Sequence, residues 1–82
     1  MMNFYEAQAF RMPFGKHKGK KLDDIAISDS GLLYLDWLFG EMDEEKRNVG
    51  SLPPWKNPVF EALSVYLMDD GIKEELQSIE RD

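Results

Sequence analysis

From Pro58 to Met68 only Glu61 and Ser64 are polar, against Val59, Phe60, Ala62, Leu63, Val65, Tyr66, Leu67 and Met68. Asn57-Pro58 reads as an N-cap followed by proline at the first helical position, and Gly71 as a stop. A helix apolar nearly all round belongs at the centre of a fold or across an interface. Its 82 residues make one domain, 1–82. A chain that short buries only about 60–65% of its unfolded surface. It has limited means to cover this helix and a second apolar one, which favours a homodimer.

The second apolar helix follows Ser28-Asp29-Ser30, a capping cluster. Leu32, Leu35, Leu38, Phe39 and Met42 fall on one helical stripe, and Leu33, Tyr34 and Trp37 widen it. The aromatic residues Phe14, Tyr34, Trp37, Phe39, Phe60 and Tyr66 are most simply core. The two main helices are expected over roughly 31–42 and 58–69. Glu41 to Arg47 is charged and exposed, and Asn48 to Lys56 is a loop that Pro53-Pro54 holds extended. Leu22, Ile25 and Ala26 mark a helical turn with Asp23 and Asp24 outside it. Ile72, Leu76 and Ile79 keep register in a short acidic terminal helix. Residues 1–8 read as a lead-in without a strong pattern.

Charge is distributed unevenly. The run from Phe10 to Lys21 holds Arg11, Lys16, Lys18, Lys20 and Lys21, half of the basic residues, and no acidic one. It carries +5 while the rest of the chain carries −11, so the net of −6 conceals a polarised molecule. Phe10, Met12 and Phe14 alternate with Arg11 and Pro13, the period of a strand with one face on a core. Gly15 and Gly19 bracket Lys16-His17-Lys18 at a spacing suited to a tight reversal. Together these predict an α+β fold, with an N-terminal β-hairpin near residues 8–21 packed on two or three helices. Three crowded cations, with His17 able to join them, point to an anionic ligand. A solvated turn that keeps an edge strand soluble is the plainer alternative.

Catalytic patterns are weak. With no cysteine there is neither a disulfide framework nor a thiolate metal site. His17 is the one histidine and sits among cations, which disfavours a metal. No local motif frames a serine as nucleophile. The acidic pairs suit solvated helix ends, and Gly15 to Lys20 lacks the residue order of a phosphate loop. The expectation is no enzyme, no cofactor and no metal. The first residues lack a basic n-region and an apolar h-region, and no apolar run is long enough to span a membrane. That favours a cytoplasmic location and no membrane partner.

The run Pro13-Phe14-Gly15-Lys16-His17-Lys18-Gly19-Lys20, then Leu22 and Ile25, then Tyr34-Leu35 and Trp37-Leu38, resembles the exodeoxyribonuclease X C-terminal-like module. That small family occurs as domains appended to nucleases and as free-standing bacterial or phage proteins. The match covers residues 10–39, under half the chain, and Lys21 stands where the family often has threonine or proline. The resemblance implies a compact hairpin on helices and an accessory role beside nucleic-acid enzymes. It brings no catalysis, because the nuclease activity belongs to a separate domain.

Two functional readings follow. In the first, Arg11, Lys16, Lys18, Lys20 and Lys21 meet phosphates, and Phe14 or His17 stacks on a base. The partner is then nucleic acid, single-stranded DNA by preference, beside a nuclease, helicase or polymerase. In the second, the chain is an acidic protein-interaction subunit or small regulator, using Pro54, Trp55, Leu63, Tyr66 and Leu67. Trp55, just after two prolines, is the aromatic residue most expected at the surface.

Overall fold

A computed structural model describes residues 2–80. Among these the chain forms α1 (Phe4–Ala9), α2 (Leu22–Ile25), α3 (Asp29–Val49), α4 (Asn57–Leu67) and α5 (Asp70–Glu80), with a 3-10 turn at Pro54–Lys56 leading into α4. No strand occurs among the described residues. The α+β class and the β-hairpin over 8–21 are therefore corrected: the domain is all-helical. Backbone pairing does exist there, as one isolated antiparallel bridge between Arg11 and Lys21. Met12 N–H donates to the Lys20 carbonyl at 2.9 Å, and Leu22 N–H to the Phe10 carbonyl at 3.0 Å. Pro13 has no N–H to extend the ladder, and α1 and α2 take up the chain on either side. The pairing is too short to make a strand.

Local signals account for the helix starts. Ser28 caps α3, its Oγ accepting from Gly31 N–H at 3.0 Å. Asn3 and Glu6 form a reciprocal capping box that starts α1, with Asn3 Oδ1 accepting from Glu6 N–H at 2.8 Å. The lead-in is thus a helix. Asn57 opens α4 rather than capping it, because the preceding 3-10 turn already supplies helical backbone at Lys56. Gly71 lies inside the first turn of α5, and α4 ends at Leu67. α3 runs seven residues past the expected end at 42, with Asp43 and Arg47 paired one turn apart at 2.9 Å on its exposed side.

The core is a single cluster. Leu32, Leu35, Leu38 and Met42 of α3 face Val59, Ala62, Leu63, Tyr66 and Leu67 of α4. α1 and α5 also pack on α4, and α2 fills the corner between α1 and α3 with Leu22 and Ile25. α4 is covered within the chain, Leu63 being 0% exposed, so its apolar sequence requires no second copy. One edge stays open: Phe60 and Val65 are half-buried, and Met68 just beyond α4 is exposed. Tyr66 ties α4 to α2 by donating its hydroxyl to Asp23 Oδ1 at 3.0 Å, and burial raises its pKa well above the ordinary tyrosine value.

Two glycines of α3 make opposite predictions. A Cβ at Gly31 would fall on the Ile25 carbonyl oxygen, with the carbonyl carbon at 2.9 Å. Gly31→Ala should destabilise the protein by about 3 kcal/mol, the upper range for overpacking. A Cβ at Gly40 meets nothing within 4 Å. Gly40→Ala should add about 0.5–1 kcal/mol through helix propensity. Urea denaturation of the two variants checks both signs.

Candidate nucleic-acid interface

The basic run is a two-turn loop fixed at its neck. Met12 is 1% exposed, its side chain in the core. Its carbonyl accepts from Gly19 N–H at 2.8 Å, while its own N–H bonds Lys20. Lys18 N–H donates to the Gly15 carbonyl and Lys20 N–H to the His17 carbonyl, closing two successive turns. Gly15 and Gly19 sit at φ 84° and 86°, left-handed values that glycine adopts without steric penalty. At Gly15 the Tyr34 hydroxyl also comes within 2.9 Å of where a Cβ would stand. Arg11 Nη1 donates to the Gly19 carbonyl at 2.7 Å, lacing the loop with one arm of its guanidinium.

Lys16, Lys18 and Lys20 are exposed and Lys21 is half-buried, and none forms an ion pair among the described residues. Lys16 Nζ lies 5.4 Å from the centre of the Tyr34 ring. His17 rests edge-on against the same ring at 4.9 Å. Its Nδ1 is buried and finds no hydrogen-bond partner among the described residues. Desolvation first, then the charges of Lys16 and Lys20, hold its pKa below the ordinary 6.5. Both effects favour the neutral imidazole, so His17 adds less positive charge to the loop than a free histidine would.

Aromatic rings continue away from the loop. Tyr34 neighbours Trp37 at 6.0 Å, one turn on along α3. Phe14, at the loop's start, meets Trp55 edge-on at 5.5 Å. The rings of Phe14 and His17, expected as stacking surfaces, are thus each held against another ring and half-buried. The more exposed rings are those of Trp37 and Trp55, 58% and 57% exposed. Trp55 is exposed as its sequence context suggests, whereas Trp37 is not core. Positions i and i+2 on a helix lie about 200° apart, so Trp37 points away from buried Leu35.

Phe14 and Trp37 share the walls of an open groove of about 390 Å³ with Glu41, Glu44, Asn48 and Lys56. Lys56 Nζ contacts both carboxylate oxygens of Glu45, at 3.0 and 3.4 Å, and lies 5.4 Å from the Trp55 ring. Of the residues assigned to a protein partner, Leu63, Tyr66 and Leu67 are buried in the core, and Pro54 and Trp55 remain at the surface. Among the described residues no three His, Asp or Glu side chains cluster to hold a metal, and no helix is long and apolar enough to cross a membrane. No family model, curated protein or solved structure matches the chain.

His17 gives a pH prediction. Its folded pKa is depressed, so the unfolded chain binds more protons below pH 6.5 and stability falls as pH drops through that value. The contribution is fully present above 6.5. Replacing His17 with Gln should flatten the decline in melting temperature just below pH 6.5, before the carboxylates titrate. Equal slopes for the two proteins would show that the imidazole charges freely in the folded loop.

Proposed function

We propose that the chain is a noncatalytic nucleic-acid-binding accessory module whose basic loop grips the phosphate backbone of a single strand. The observation that carries this reading is the placement of the loop. Lys16, Lys18 and Lys20 project from a backbone that Met12 fixes to the core, and the loop connects through Tyr34 to exposed Trp37 and through Phe14 to exposed Trp55. Cations that track phosphates beside aromatic faces that accept any base are the two components of sequence-tolerant single-strand binding. The resemblance of residues 10–39 to exodeoxyribonuclease X C-terminal-like modules supports an accessory role beside a nuclease, helicase or polymerase. A solvated turn alone accounts for the lysines but not for the exposed rings next to them.

Five cations on a single strand set an upper slope of about −3.5 in log K against log salt, at roughly 0.7 per contact. Arg11 has one arm on the Gly19 carbonyl, which places the expected slope below that bound. Changing Lys16 and Lys18 together to Ala should reduce its magnitude by about 1.4. The fold should survive, because the change relieves repulsion and costs only the contact of Lys16 with the Tyr34 ring, leaving the Met12 anchor and the neck hydrogen bonds in place. Fluorescence anisotropy with labelled oligothymidylate at a series of salt concentrations measures this. Absence of saturable binding at low salt, or an unchanged slope in the double variant, would sink the nucleic-acid reading and favour a protein partner.

A further inference from the structure

The groove beside the loop has a chemistry that phosphate binding does not use. Trp37 presents an exposed ring at one end, and Glu41 follows it by one helical turn on the same side of α3. Glu45 is occupied by Lys56, whereas Glu41 and Glu44 have no ion pair among the described residues. Phe14 forms an apolar wall and Asn48 closes the far end of α3's side. An indole with a carboxylate one turn away is a stacking surface with acceptors at its edge.

We infer that this groove is a base-binding subsite that prefers guanine, stacking it on Trp37 and reading its edge with Glu41. An ionised carboxylate only accepts hydrogen bonds. Guanine sets N1–H and the N2 amino group side by side on one edge, matching the two oxygens of Glu41 in a bidentate pair. Thymine offers one ring N–H between two carbonyl oxygens, which a carboxylate repels. Lys56 is committed to Glu45, so the cations that hold the strand's phosphates are those of the loop, and the groove takes the base alone. The inference rests on the nucleic-acid reading and adds base preference to it. It also gives α3's long exposed extension a use beyond covering the core.

The test compares an oligothymidylate of about twelve nucleotides with the same strand carrying one central guanine, a single guanine avoiding four-stranded structures. The expected result is a preference of about tenfold for the guanine strand, the range of one good bidentate contact. Glu41→Gln should abolish that preference and modestly raise oligothymidylate affinity, because the charge that repels thymine's carbonyls and the phosphates is gone. Trp37→Ala should weaken binding of both strands by about tenfold through lost stacking. Trp37 and Glu41 are both exposed, and thermal melts of the two variants confirm that they remain folded. Equal affinity of the wild type for the two strands, with the salt slope intact, overturns the base subsite and leaves the proposed function standing. A guanine preference that persists in both variants overturns the assignment to this groove. If neither strand binds, both readings fall. In that case an arginine-rich peptide that quenches the fluorescence of a Trp55→Phe variant, whose one tryptophan is Trp37, would identify the groove as a protein-docking surface.

Discussion

A loop that gathers lysines at 16, 18, 20 and 21 works against itself, and burial of Met12 is what holds it to one shape. Two unit charges about 4 Å apart in water repel by about 1 kcal/mol, and screening beyond about 8 Å weakens the rest. Burying a methionine side chain contributes roughly 1.5–3 kcal/mol. One such anchor is therefore of the right size to offset the repulsion of a few spread-out lysines. The hydrogen bonds of Met12 to Gly19 and Lys20 then fix the neck on both sides. The positions of Phe14 against Trp55 and of His17 against Tyr34 all follow from that neck.

The other half of the arrangement comes from α3. Its inward face, Leu32, Leu35, Leu38 and Met42, is committed to α4, and that commitment turns Trp37 and Glu41 outward. Tyr34 lies between the two faces, half-buried, with the loop resting on its ring. Stacked pairs reinforce the core's margins: Phe39 on Phe60 at 5.1 Å and Phe4 on Tyr66 at 5.6 Å. Since Tyr66 also bonds Asp23, α1, α2 and α4 are joined at one side chain. The same core that makes the domain stable also sets the angle between loop and groove.

Much of the helical framework was legible because it rests on local rules. The Ser28 cap, the buried pair Leu22 and Ile25, and the apolar run after Pro58 all behave as their spacing predicts. The hairpin was misread for a physical reason. The alternation at Phe10, Met12 and Phe14 is real, since Met12 is buried while Arg11 and Pro13 are exposed. Alternation reports which way side chains point, not whether a partner strand is long enough, and here pairing ends within two residues of Met12. α1 carried a readable signal in Asn3 and Glu6, the residues of its capping box. The expectation of a core Trp37 fails because a broad apolar stripe hides where its centre lies. Taking the centre from Leu35 and Leu38 places the indole outside. The meeting of Phe14 with Trp55 was not legible at all, because 41 positions separate them and no local pattern encodes that distance.

Electrostatics sets how such a surface can meet a polyanion. The whole chain is acidic, yet its extents of 34 × 25 × 24 Å are about three to four screening lengths at physiological salt. Carboxylates on the far side are therefore invisible to a strand lying on the loop. The acids that matter are the near ones: Asp23 and Asp24, which share a surface pocket with Lys21, and those of α3. Glu45 is neutralised by Lys56, and Lys56 in turn lies over Trp55. Glu41 and Glu44 line the groove rather than the loop. A backbone that runs along the turns at 16–20 meets cations first, Asp23 and Asp24 bound that track at Lys21, and a group turned into the groove meets Glu41 and Glu44. In the function proposed above, charge orients the strand on this face: phosphates are drawn to one side, and a base with hydrogen-bond donors on its edge is the part of a nucleotide that the other side accepts.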